Sequence, residues 1–356
     1  MSSVRLALLV CVVAVPACLP ASDPASDPAT SQTEQAILPV PDPCDGPNCG
    51  GVNGPVMNGL PFSDIASDGT PNSAGLAIAG VFRASDNTPM KLIAINDMLL
   101  GIDPWTGLTL AAGIDLIGTR IITTLKGKPY EITISYVSPT GVIDERFWVG
   151  SYDRVEAYEF MYKPVGSVEH PKPLCTYDST DPSSASVRAI AFTGDRYDPD
   201  SKAVTVGPKT DGWINIACKF GAPYKLHLLG HTTAATARIG IYAPVAKRRT
   251  LLLAVSMTAC GAGESFTVQG THITLSESQN LLPAASPFQL PPALYEAIWT
   301  TDGVRCMNWH RRAKSAEDYK VIRANIESTC GRVIPECKAT DFGMWKTVGS
   351  VITGVP

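Results

Sequence analysis

The sequence predicts an α+β protein: a strand-rich N-terminal half, then a disulfide-stabilised domain of β-hairpins with two to three helices. Three observations predict it. Apolar residues alternate with period two through 132–136 and 155–162, as strands half-buried in a sheet require. Two stretches in the C-terminal half carry helix caps: Pro244 to about Ala259, and Ser315 to Gly331. Ten cysteines stand in a chain of 356 residues, many at positions suited to cross-linking.

The first residues are an export signal rather than structure. Arg5 precedes the apolar run Leu6–Val15, too short to span a bilayer. Val15-Pro16-Ala17-Cys18 then resembles the lipobox of bacterial lipoproteins, in which the cysteine is acylated and becomes the new N-terminus. That resemblance implies lipidation at Cys18, a membrane as partner and, because Leu19 follows the cysteine, the outer membrane of a Gram-negative cell. The alternative is cleavage near Ala17 or Ala21, releasing a secreted chain. Residues 18–74 read as a flexible Pro/Ser/Asp/Gly-rich tether, with Ala21-Ser22-Asp23-Pro24 repeated as Ala25-Ser26-Asp27-Pro28.

A β-rich region is expected over 75–175. Ile132, Ile134 and Tyr136 share one face of a strand, preceded by a hairpin turn at Lys126-Gly127-Lys128. Tyr158, Phe160 and Tyr162 form an aromatic row on another strand; packing against a second sheet or a helix is preferred over a ligand platform. An α+β domain is expected over 187–340, with 341–356 as a tail. Within it, 187–192 and 203–206 read as a hairpin around Asp195, Asp198 and Asp200. Three acids there lack the spacing and bidentate Glu of a calcium loop, so an Asp-Pro turn is the simpler account. A helix follows from near Pro223 to His231, its start reaching back toward Cys218. The next, from Pro244, is apolar nearly all round and therefore central. Short hairpins are read at 266–275 and 295–309, and a capped helix at 315–331.

Composition narrows the function. Apolar residues make up 45 % and charged residues 17 %, with net charge −4, which leaves no basic footprint for nucleic acid. Lys247-Arg248-Arg249 and His310-Arg311-Arg312 are the two basic clusters, each read as a solvated face or a helix end. With Cys11 in the signal and Cys18 at the lipid site, Cys44, Cys49, Cys175, Cys218, Cys260, Cys306, Cys330 and Cys337 remain, an even set that reads as disulfides. Cys44–Cys49 is the easiest closure and Cys218–Cys260 is read as a clamp between helices. Cys306 pairs with Cys330 or Cys337, leaving the other for Cys175. Oxidised sulfur removes thiolate catalysis.

Phe192-Thr193-Gly194-Asp195-Arg196-Tyr197-Asp198, Asp211–Cys218, Lys225–Thr232, Cys260-Gly261 and Phe266–Gly270 together resemble the ADYC-domain family of bacterial exported proteins. Ile298–Cys306 and the upstream Pro173-Leu174-Cys175 continue the resemblance. It implies an architecture and an envelope setting, and no activity. The Ala-Asp-Tyr-Cys motif falls on Met257-Thr258-Ala259-Cys260, where only the cysteine is kept. That departure suits a helix end fastened by a disulfide.

His227 and His231, spaced i, i+4, are the candidate metal ligands. Leu228 stands where a His-Glu-X-X-His metallopeptidase needs glutamate, and two ligands leave a site incomplete, so core histidines are the preferred reading. No Gly-X-Ser-X-Gly elbow and no phosphate-binding loop is present. The sequence thus points to an envelope lipoprotein with a binding or structural role and no cofactor. A metal-dependent hydrolase using His227/His231 is the alternative, and binding of carbohydrate or peptide through Trp213 and Tyr197 a third reading.

Overall fold

Period-two patterning in the N-terminal half builds antiparallel strands, joined by turns whose residues accept positive φ. Lys126-Gly127 (φ 51° and 77°) and Asn96-Asp97 (φ 49° and 60°) each make a two-residue hairpin turn of the type that matches strand twist. The computed structural model describes residues 57, 59–139, 145–146, 154–176, 186–198, 202–206, 212–219, 221–230, 243–267, 274–277, 295–343 and 351–354. All belong to one unit, Val40–Pro356.

In chain order the elements are β1 (Asp64–Ala66), β2 (Leu76–Phe82), β3 (Pro89–Ile95), β4 (Met98–Ile102), β5 (Thr109–Ala112), a 3-10 turn (Gly113–Leu116), β6 (Arg120–Leu125) and β7 (Lys128–Val137). The short pair β8 (Glu145–Arg146) and β9 (Arg154–Val155) precedes β10 (Ala157–Pro164), β11 (Lys172–Pro173), β12 (Ala189–Phe192), β13 (Asp195–Tyr197), β14 (Val204–Val206) and β15 (Trp213–Cys218). Then come α1 (Ala222–Leu228), α2 (Val245–Ser256), β16 (Thr274–Glu277), β17 (Tyr295–Thr300), β18 (Gly303–Met307), α3 (Ala316–Cys330), α4 (Ala339–Gly343) and β19 (Val351–Gly354). No described helix is long and apolar enough to cross a membrane.

The main sheet runs β1-β15-β12-β10-β7-β6-β2 and continues into β3-β4-β5. Only Val81↔Met90 and Phe82↔Pro89 join β2 to β3, so the chain turns a corner there. The β3–β5 sheet folds back and lies against β12 and β15. Between the layers sits one core, with Leu92, Leu99, Ile132, Ile134, Tyr158 and Phe160 buried in it. Alternation divides the strands cleanly. Ala189 and Ala191 face this core, while Ile190 and Phe192 face a second one on the other side. That second core holds α1, α2 and a four-stranded sheet, β16-β19-β17-β18, with α3 packed on it.

Several expectations hold. The aromatic row packs between sheets: the Tyr158 hydroxyl accepts from Leu99 N of β4 at 2.6 Å. Helix α2 is central, ending in left-handed Met257. Helix α3 is capped by Ser315, which accepts from Asp318 N, and stops at left-handed Gly331.

Others are corrected. Residues 59–74 are not tether: Leu60, Phe62 and Ile65 are core, β1 pairs with β15, and Asn72 Nδ2 donates to Pro61 O at 2.7 Å and Asp64 O at 3.0 Å. Residues 187–192 and 203–206 do not form a hairpin; β12 pairs with β10 and β15, and the hairpin is β13–β14. β12 and β15 therefore complete the sheet of the preceding β-rich region. Cys218 ends β15 rather than starting the helix, which begins at Ala222. β16 pairs with β19, so the terminal segment read as a tail supplies a strand. Residues 268–273, the middle of the hairpin expected at 266–275, lie outside the described residues.

The cystines also differ. Cys175 pairs with Cys218, Cys260 with Cys330, and Cys306 with Cys337. The Cys218–Cys260 clamp is replaced because Cys218 lies on β15 beside Cys175, while Cys260 follows α2 against the end of α3. Of the two partners open to Cys306, Cys337 takes the place. Cys18, Cys44 and Cys49 lie outside the described residues.

Candidate functional site

His227 lies on α1, a helix too short to hold itself and so fixed by what it touches. Its ring stacks on Phe192 with centroids 4.1 Å apart. Its Nε2 stands 2.8 Å from Asp97 Oδ1, carried by the β3–β4 turn. His227 is 1 % exposed. The pair pins the outer sheet to a helix from the other side of the main sheet. His231 lies outside the described residues, and no group of three or more His, Cys, Asp or Glu able to hold a metal occurs among the described ones.

A second buried cluster surrounds Asp195. Arg248 Nη2 donates to its Oδ1 at 2.8 Å, and the Tyr197 hydroxyl lies 3.3 Å from its Oδ2. Asn215 donates to the Asp195 carbonyl. Burial pushes the Asp195 carboxyl above the ordinary range, with Arg248 pulling the other way, and burial pushes the Tyr197 phenol well up. Next to it, Arg196 Nε donates to Asp64 Oδ2 at 2.8 Å while its guanidinium covers the Trp213 ring at 3.7 Å. Trp213 and Tyr197, read as candidate exposed aromatics, are thus buried and engaged. Asp195, one of the three acids weighed for calcium, is committed to arginine.

The basic clusters are largely buried rather than solvated, with Arg312 their exposed member. Lys247 and Arg248 are buried on α2, and so are His310 and the Arg311 side chain. Arg311 Nη2 donates to Glu296 Oε2 at 2.7 Å and to Ala254 O at 3.1 Å, at the C-terminal end of α2. Cations belong at that end of a helix dipole. Burial raises the Glu296 carboxyl, but the Arg311 charge and hydrogen bonds outweigh it and hold the group below its usual value. Burial depresses His310 to about 4. Its Nδ1 accepts from Arg312 N at 3.2 Å, as a neutral imidazole does. Burial, and then Arg311, pushes the Lys225 amine well down.

The segment carrying the Met257-Thr258-Ala259-Cys260 motif is a helix end. Val304 N donates to Ala259 O, and a Cβ at Gly303 would lie 2.2 Å from that same oxygen. Only glycine permits this approach at φ +105°. The Cys260–Cys330 cystine closes the packing.

Two surface features remain. A recess of about 200 Å³ lies between Tyr130, Tyr162, Lys163, His170 and Lys172, beside Gly59. Opposite the core, the outer face of the β3–β5 sheet is part-exposed and apolar apart from Lys91. Sequence reasoning missed that face. Its signal was there in Met90–Ile95 and Met98–Ile102, apolar at nearly every position where a half-buried strand alternates.

Comparison with curated proteins gave no match, and neither did comparison with solved structures. The profile of the ADYC domain matches residues 113–313, from the 3-10 turn after β5 to the segment before α3. That span covers more than half of the sequence and includes the Asp195–Arg248 and Glu296–Arg311 pairs. The chain belongs to the ADYC-domain family.

Proposed function

We propose that this ADYC-domain protein is exported, acylated at Cys18 and held at the outer membrane, where it displays a disulfide-stabilised domain that acts by binding or as a structural element. One observation carries the reading: all six described cysteines are in cystines. Such a pattern is stable in an oxidising compartment and rare where thiols are kept reduced. The signal-like Leu6–Val15 run and Val15-Pro16-Ala17-Cys18 add the route and the anchor. A non-catalytic role is supported by where the titratable groups stand: buried and paired, His227 with Asp97, Asp195 with Arg248 and Glu296 with Arg311. The metal-hydrolase alternative gains nothing, because the His227 ring faces Asp97 and Phe192.

The test is the mass of the mature N-terminal peptide from the membrane fraction, with a count of free thiols in the folded chain. Acyl chains on Cys18 and blocked thiols at Cys175, Cys218, Cys260, Cys306, Cys330 and Cys337 are expected. An unmodified terminus at Cys18 or beyond overturns the anchor. Four or more free thiols overturn the compartment.

A further inference from the structure

We propose that the outer face of the β3–β5 sheet is a membrane-contact surface, with Trp105 and Leu108 at its rim seated among lipid headgroups. This rests on the anchor reading of Cys18. The pairs Ile95↔Met98 and Ile93↔Leu100 point away from the core, and Ile102 follows on the same side of β4. Lys91 is the one charged residue in these three strands. A contiguous run of hydrophobic residues on the outward side of a sheet marks an interaction surface.

The rim is shaped for an interface between water and lipid. Trp105 is 81 % exposed and Leu108 is 67 % exposed. They sit on a rigid loop: Asp103 Oδ1 accepts from Trp105 N at 2.9 Å and from Thr106 N at 2.7 Å, and Asp103 N donates to Leu108 O at 2.8 Å. Those bonds hold the Asp103 carboxyl below its usual range. Residues Pro104 to Thr109 are uncharged. Trp is the side chain that settles at headgroup depth, with an apolar body and an N–H donor.

Two arguments favour a bilayer over another chain. Roughly 40 residues separate Cys18 from Met57, so at about 3.3–3.6 Å each the anchor and the folded part are never more than ~140 Å apart. Tethering of that kind makes a weak contact effectively intramolecular. The edge strand β5 is also blunted against pairing with a second copy: Arg83 Nη1, held by Asp86, donates to Leu110 O at 3.2 Å.

The test uses the chain purified from membranes, added to vesicles of phosphatidylethanolamine and phosphatidylglycerol with brominated acyl chains. The Trp105 contribution to emission is the difference between the wild-type chain and Trp105→Phe. A blue shift and shallow quenching of that contribution are expected, and Leu108→Asp should raise the lipid concentration needed by about tenfold. Water-like, unquenched Trp105 emission overturns the proposal, whether or not the mass of the N-terminal peptide carries acyl chains. Quenching in a chain that proves unacylated removes the anchor and leaves the contact surface standing. Sedimentation as a dimer with Trp105 shielded in the absence of lipid overturns the proposal in favour of self-association.

Discussion

The two faces of the main sheet are packed by different means. Toward β3–β5 the core is largely apolar, with the Cys175–Cys218 cystine within it and the Tyr158 hydroxyl linking Leu99 N to the buried Glu156 carboxylate. Toward α1 and α2 the sheet faces arginines, aspartates and a lysine, with two cystines beyond. The difference follows from the elements. A sheet on a sheet has register set by alternation and backbone ladders. Short helices with apolar residues all round have no such register, so directional ion pairs and cross-links position them. Buried pairs add little net stability over apolar replacements, but removing one partner is costly.

This contrast breaks first at Glu296–Arg311. Arg311→Met strands a buried carboxylate and should lower unfolding free energy by about 3–5 kcal/mol in urea titration, whereas Arg311→Met with Glu296→Leu should recover most of it. An equal loss in the double variant would mean the pair is not what positions α2.

Next is the Cys260–Cys330 cystine, which closes a sequence separation of 70. Replacing both cysteines by serine should cost about 4 kcal/mol by loop entropy, read as a fall in Tm. The Cys175–Cys218 bridge, at a separation of 43, ranks slightly below it in the same measurement.

A pH dependence confined to the helix side sharpens the comparison further. His310 is held down to about 4 from 6.5 by burial. A depressed folded value means stability is complete above pH 6.5 and is lost as pH falls toward 4, by about 3 kcal/mol at most. His310→Asn keeps an acceptor for Arg312 N and should flatten the stability curve over that interval. An unchanged slope would place the acid sensitivity elsewhere.

The smallest effect belongs to the outer face. Trp105→Ser and Leu108→Asp should each shift stability by less than about 0.5 kcal/mol, because both side chains already stand in water. A loss above 1 kcal/mol would make the rim part of the core.

What the sequence disclosed was local. The caps of α3, from Ser315 to Gly331, and the all-round apolar stretch of α2 follow from residues a few positions apart. The aromatic row on β10 is a period-two signal. Non-local pairings were not legible. Lys247-Arg248-Arg249 looks solvated until β13 brings Asp195 against Arg248, 53 positions away. Cystine connectivity depends on which strand and helix ends meet. His227 was singled out, but its partner Asp97 lies 130 positions upstream in a hairpin turn. Met90–Ile95 and Met98–Ile102 are apolar at nearly every position, and only topology leaves one side of them uncovered.

Hydrogen exchange of the full chain, with and without phosphatidylethanolamine/phosphatidylglycerol vesicles, tests the central claim: the interior is locked by ion pairs and cystines, and the apolar outer sheet makes contact. Added protection confined to peptides from residues 89–112, including Trp105 and Leu108, is the predicted result. Protection at the Tyr130–Tyr162–His170 recess or around α1, with none over 89–112, would contradict it.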